Sequence, residues 1–192
     1  MFTATFKRFT ISEYHRLTEL GILQQSDHIE LIRGELVEMA AKGMAHEVCL
    51  TKLLRELSKL ISDRATLRCQ SPIILSSNSE PEPDFTIVIN SPDDYLVSHP
   101  AANDIILVIE IYDSSLNYDK EIKLPLYAED GISDFWIFNL GDRILEAYSK
   151  PYQKPQGSWG YRIQKISLPN ETISLPQFSD LLLDLTKVFP QQ

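Results

Sequence analysis

The stretch DIILVIEIYD, residues 104–113, limits the fold more than any other part of the chain. From Ile105 to Ile111 it is apolar at odd and even positions alike, save for Glu110. A strand with apolar side chains on both faces belongs inside a sheet that is covered on both sides. Helices alternate with hairpins and longer crossovers elsewhere in the chain, so the expectation is a mixed central β-sheet flanked by helices, an α/β fold. With 192 residues and no composition break, repeat or low-complexity tract, residues 1–192 are read as one domain with a sizeable core.

Glu110 then poses a chemical question. A lone carboxylate inside such a strand loses its hydration, or takes up a proton to avoid the cost. A second acid, Asp84, stands between prolines and the apolar run of PEPDFTIVIN. If 85–90 and 104–110 pair as antiparallel neighbours, with their loop centred near residue 97, Asp84 falls opposite Glu110. A slip of one residue would move each acid to the other face. Two adjacent carboxylates repel, and a divalent cation relieves both problems. Mg²⁺ takes one or two carboxylates, with waters and a phosphate oxygen filling its other positions. Such an ion can activate a water and neutralise charge on a phosphate, the chemistry of phosphodiester hydrolysis.

The remaining elements are read from pattern. TISEYHRLTELG is a short helix, with Thr10 and Glu13 as a capping box and Gly21 as its stop. HIELIRGELVEM is a hairpin about Arg33-Gly34, with Glu30 opposite Val37. AHEVCLTKLLRELSKLIS is the clearest helix; Val48, Leu50, Leu53, Leu54, Leu57, Leu60 and Ile61 form its apolar stripe. Lys52, Arg55 and Lys59 lie on another face, read as solvated rather than as a DNA contact. Strands are expected at 66–75, 85–90, 104–112, 134–139, 143–149, 159–167 and 171–175. Helical segments are expected at 118–130 and near Phe178–Leu183, and SKPYQKPQGSWG reads as a loop. Pro125 would kink a helix begun at Asp119 and is harmless in one begun nearer Lys123.

Composition restricts the function classes. Hydrophobic residues make up 43% and charged residues 23%, ordinary for a globular protein. No apolar run reaches the ~18 residues of a membrane helix, and MFTATFKRFT lacks the apolar core of a secretory signal. The expectation is a cytoplasmic protein without membrane partners. Cys49 and Cys69 have no Cys or His at zinc-ligand spacing and are expected to stay reduced, Cys49 in the core. The net charge is −9 and the pI about 4.9. A protein that grips phosphate by charge alone should be basic. DNA binding by this chain would need a local basic patch, bridging metal ions or a cleft shared between subunits.

Lys123, in YDKEIKLPLYAEDG, is the candidate cation for orienting a water or countering transition-state charge. Asp119, four residues earlier, could share its helix face. These residues carry a resemblance. HIELIRGELVEM, MAHEV, PEPDFTIV, LVIEIYDSS, YDKEIKLPLYAEDGISDFWIFN and RILEAYSK, in that order over roughly 10–150, resemble the Uma-two family of putative restriction endonucleases in the PD-(D/E)XK superfamily. The resemblance implies a restriction-endonuclease-like fold, with the N-terminal hairpin and extra C-terminal strands as additions. It implies a DNA endonuclease dependent on Mg²⁺ (or Mn²⁺), often a homodimer. It assigns Asp84 and Glu110 to the metal and Lys123 to catalysis, because the usual lysine position is Tyr112. It also places an auxiliary group on the long helix, where His46 stands.

Other residues keep open readings. His46 is either such a group or a satisfied, partly buried histidine. Glu30 is structural or at the site edge. Tyr112 is read as packing, and Asp93, Asp94 and Asp104 as solvated turn residues. Two rivals to the nuclease remain: an inactive nuclease fold that binds DNA or a protein, and a β-rich acidic module that binds a basic protein.

Overall fold

The architecture was obtained as a computed structural model, which describes residues 6–39, 41–76, 78–113 and 118–191. Its centre is a six-stranded sheet in the order β3 (Thr66–Cys69), β4 (Phe85–Val88), β5 (Ile105–Tyr112), β6 (Asp134–Asn139), β7 (Ile144–Gln153) and β8 (Trp159–Ser167). Only β5 and β6 are parallel; the other neighbours are antiparallel. Every residue of β5 is buried, as its two apolar faces require. The pairing Phe85↔Ile109, Thr86↔Val108 and Ile87↔Leu107 is the register that sets Asp84 opposite Glu110.

Helix α2 (Met44–Ile61) and the hairpin of β9 (Thr172–Leu175) and β10 (Phe178–Asp184) cover one face. Leu53, Leu57, Phe85, Ile109, Trp136 and Leu183 meet there. Helix α3 (Leu124–Glu129) covers the other, where Val108, Leu126, Tyr127, Phe135 and Ile137 meet. The N-terminal part adds α1 (Ile11–Glu19), with its Thr10–Glu13 capping box, and the hairpin of β1 (Ile29–Ile32) and β2 (Glu35–Glu38), which pairs Glu30 with Val37. Among the described residues no helix is long and apolar enough to cross a membrane.

Some expectations are corrected. Phe178–Leu183 is a strand. A short apolar run has no decisive periodicity, and here pairing with β9, across a bulge between Phe178 and Leu182, settles it. Strand β7 runs to Gln153 and β8 starts at Trp159, so most of the expected loop is a long hairpin. Strand β3 ends at Cys69; Ile74 and Leu75 keep only isolated bridges. On α2, Val48 and Leu54 stand 44% and 39% exposed, whereas Cys49 lies in the core as expected and His46 faces inward. Lys52 is not simply solvated: it donates to the Phe189 carbonyl at 2.8 Å.

The segment before α3 resolves the question of Pro125. Asp119–Lys123 is a π-turn, and the α-helix begins only at Leu124, so Pro125 falls in its first turn. Proline is tolerated at that position. The expected pairing of Asp119 with Lys123 concerns the Asp119 side chain, which lies outside the described residues.

Candidate active site

Asp84, Glu110, Lys123 and His46 converge. Each is at most 6% exposed. Asp84 sits just before β4, where a backbone amide of the neighbouring strand is within reach: Ile111 N donates to Asp84 Oδ2 at 2.8 Å. Helix α2 brings His46 Nε2 to the same oxygen at 3.0 Å. A carboxylate can only accept, so Nε2 carries a proton. His46 Nδ1 is buried without a hydrogen bond, with Glu47 Oε1 3.9 Å away. Burial alone would raise the Asp84 pKa; the bond and charge of His46, the Ile111 amide and Lys123 outweigh it and hold the pKa below the usual carboxylate range.

Glu110 is the hub. Lys123 Nζ donates to its Oε1 at 3.0 Å, and the Tyr127 hydroxyl, one turn further along, donates to the same oxygen at 2.8 Å. The Asp84 amide approaches Oε2 at 3.4 Å, which ties the two acids together. Tyr127 has no exposed surface. Burial and then the Glu110 charge push its pKa well up, so it stays a donor.

The hairpin β1–β2 supplies a third acid. Glu30 Oε2 lies 3.5 Å from Lys123 Nζ and accepts from the Glu82 amide at 3.1 Å. Its Oε1 accepts from the Tyr118 hydroxyl at 3.2 Å. Glu30 thus makes structural hydrogen bonds and also lines the cleft, and both of its readings stand. Tyr112 packs in the α3-side core.

These groups open on a cleft of about 310 Å³. Glu30, Glu38, Glu82, Asp84, Glu110 and Asp113 line it, against Lys42 and Lys123. Burial pushes the Glu82 carboxyl up, Glu30 adds to the rise, and Lys42 opposes it. A Cβ on Gly43 would meet Asp113 Oδ2 at 2.6 Å, so that carboxylate would have to swing aside. The surplus of hard oxygen donors suits a divalent cation such as Mg²⁺. Among the described residues no three His, Cys, Asp or Glu side chains form a ready-made cage. Mg²⁺ is commonly held by one or two carboxylates plus water and phosphate.

Sequence reasoning missed Tyr127 as a member of the site. Its spacing from Lys123 was available, but an aromatic on the inner face of a helix reads as packing.

The central mixed sheet flanked by helices is a restriction-endonuclease-like fold. The chain belongs to the Uma2 family, described as putative restriction endonuclease, whose sequence model matches residues 11–186. Among solved structures it is similar to a putative nuclease belonging to DUF820 from Anabaena variabilis, with a TM-score of 0.69 and 16% identity over 94% of this chain and 97% of that one. At that identity the likeness concerns the fold. No curated protein matches the chain.

Proposed function

We propose that the protein is a DNA endonuclease that hydrolyses phosphodiester bonds with a divalent cation, Mg²⁺ or Mn²⁺, held by Asp84 and Glu110. The observation that carries this reading is the meeting of the two carboxylates with Lys123 in one acidic cleft. When bound, the ion would polarise a phosphoryl oxygen and lower the pKa of a water. The chain's own residues do the rest. The Ile111 amide and His46 fix the orientation of Asp84. Lys123 and Tyr127 fix Glu110. The Lys123 ammonium orients the attacking water, or offsets charge gathering on the phosphate. Duplex DNA is the substrate in this reading and a homodimer the working assembly, both drawn from the family resemblance.

The test is cleavage of supercoiled and linear DNA with Mg²⁺ or Mn²⁺. The parent should cut and EDTA should stop it. Asp84→Asn, Glu110→Gln and Lys123→Met should each lose activity on the order of a hundredfold or more. Equal rates in the parent and all three variants would rule out the assignment.

A second reading has one observation in its favour. Lys123 already lies on Glu110 and near Glu30, so part of the buried negative charge is offset without an ion. In that case the fold binds DNA or a protein but does not cut. A melting temperature unmoved by Mn²⁺ would support it, since a ligand that binds only the native state must raise stability.

A further inference from the structure

We infer that Glu146 and Lys120 form a positioning pair that fixes the turn carrying Lys123; the catalytic consequence rests on the nuclease reading above. Glu110, Ile137 and Glu146 are register partners across β5, β6 and β7. Register partners share a face, so two carboxylates stand on the α3 side with one strand between them, roughly 10 Å apart at the backbone. The π-turn Asp119–Lys123 spans that gap. Lys123 donates to Glu110 at 3.0 Å, and Lys120 donates to Glu146 at 2.6 Å. The turn is pinned at two points, each a lysine on a carboxylate.

Glu146 is 2% exposed and does not line the cleft. Its oxygens accept from Lys120, from Asn139 at 3.2 Å, from the Tyr148 hydroxyl at 2.5 Å and from Gln164 at 2.9 Å. Burial would raise its pKa, but Lys120, Tyr148 and Asn139 together hold it below the ordinary value. Such a pair is a poor route to stability, because an apolar pair of similar volume does as well. What it adds is a fixed position.

The turn needs that restraint. Pro125 has no amide to donate back to the carbonyls of the π-turn, so the backbone is short of a bond where Lys123 must be held. The Lys120–Glu146 pair supplies a side-chain bond in its place.

The experiment compares the parent with Lys120→Met, Lys120→Arg, Glu146→Gln and the double variant Lys120→Met/Glu146→Gln. Amide hydrogen exchange is read on all of them without DNA, and Mg²⁺-dependent cleavage is read as kcat and KM. Lys120→Met and Glu146→Gln should raise exchange across 119–124 about tenfold, with β6–β8 unchanged, and Lys120→Arg should restore it. They should lower kcat on the order of tenfold to a hundredfold at unchanged KM. The double variant should lose no more than either single one, as expected of two residues acting as one unit. Parent-like exchange at 119–124 in Lys120→Met overturns the inference, as does faster exchange spread over β6–β8, which marks a purely structural role. An active parent whose kcat survives Lys120→Met overturns it too. If the parent does not cleave, only the nuclease reading falls, and exchange alone decides the positioning pair.

Discussion

A carboxylate on an interior strand survives only where its charge is matched, and Glu110 is matched by two donors on one oxygen. Tyr127→Phe removes one of them and little volume. It should cost about 1.5–3 kcal/mol, the range for a hydrogen bond to a charged group, read by urea denaturation at constant m-value. A loss near zero would mean that Glu110 is satisfied without the Tyr127 hydroxyl. Asp84 gives a pH signature. Its folded pKa lies below the ordinary 3.8, so across that window the unfolded chain binds more protons and stability rises with pH. Its contribution is present above 3.8 and is lost as pH falls through the lower folded value. The stability gap between Asp84→Asn and the parent should therefore be widest near neutrality and shrink in acid, checked by urea denaturation at pH 7 and pH 3. A gap independent of pH would show that Asp84 is not held as an anion. Glu110 stood out in the sequence because apolar neighbours made a charge expensive, and Asp84 because the expected register set it opposite; Lys123 was sought as a cation to go with them, and it and His46 were picked out by the family resemblance. Tyr127 and Glu146 were not legible. Tyrosine is at home in a core, and Glu146 sits in RILEAYSK, where a polar residue on a strand looks solvated.

Elements were legible where local chemistry was strong. The capping box of α1, the stripe of α2 and the Arg33-Gly34 turn are each encoded within a few residues. Arg33 and Gly34 adopt φ of 50° and 77°, the paired positive values of a type I′ hairpin. A Cβ on Gly34 would come within 2.7 Å of Arg8 Cβ and 2.8 Å of the Phe9 carbonyl. Gly34→Ala should therefore destabilise by about 1–3 kcal/mol, from backbone strain plus the clash. Thermal or urea denaturation checks it, and a neutral outcome would show that the N-terminal segment yields at no cost. The consequence reaches the cleft, since this hairpin holds Glu30 near Lys123. Where the sequence misled, partners distant in the chain decided the outcome. Strand β10 exists because β9 pairs with it, and the extension of β7 past Pro151 comes from its ladder with β8, which runs up to Gln153↔Trp159. The π-turn has no sequence signature of its own. Pro125 marked the right place, but the wider turn before it is apparent only in the structure.

On the scale of the molecule, the problem is one of sign. A chain of net charge −9 is proposed to act on a polyanion through a cleft in which six carboxylates face two lysines. Counterion release, the usual source of affinity for DNA, requires cations on the protein. Here the cation has to come from solution. A divalent ion between the carboxylates and a phosphate turns a repulsive pair into an attractive one, so binding as well as cleavage should depend on it. Lys123→Met isolates the point: it keeps Asp84 and Glu110 but removes the ammonium assigned to turnover. Fluorescence anisotropy with labelled duplex should show this variant bound in Mg²⁺ or Mn²⁺ and released on adding EDTA. Asp84→Asn/Glu110→Gln should bind poorly in either condition. The affinity lost to EDTA should be on the order of tenfold or more, the scale of a single phosphate contact forgone at low salt. If Lys123→Met binds DNA equally well with and without the ion, attraction comes from somewhere other than the cleft. The acidic surface would then have to be bridged by positive regions of a second subunit, and the carboxylate pair would lose its claim to be what meets the phosphate.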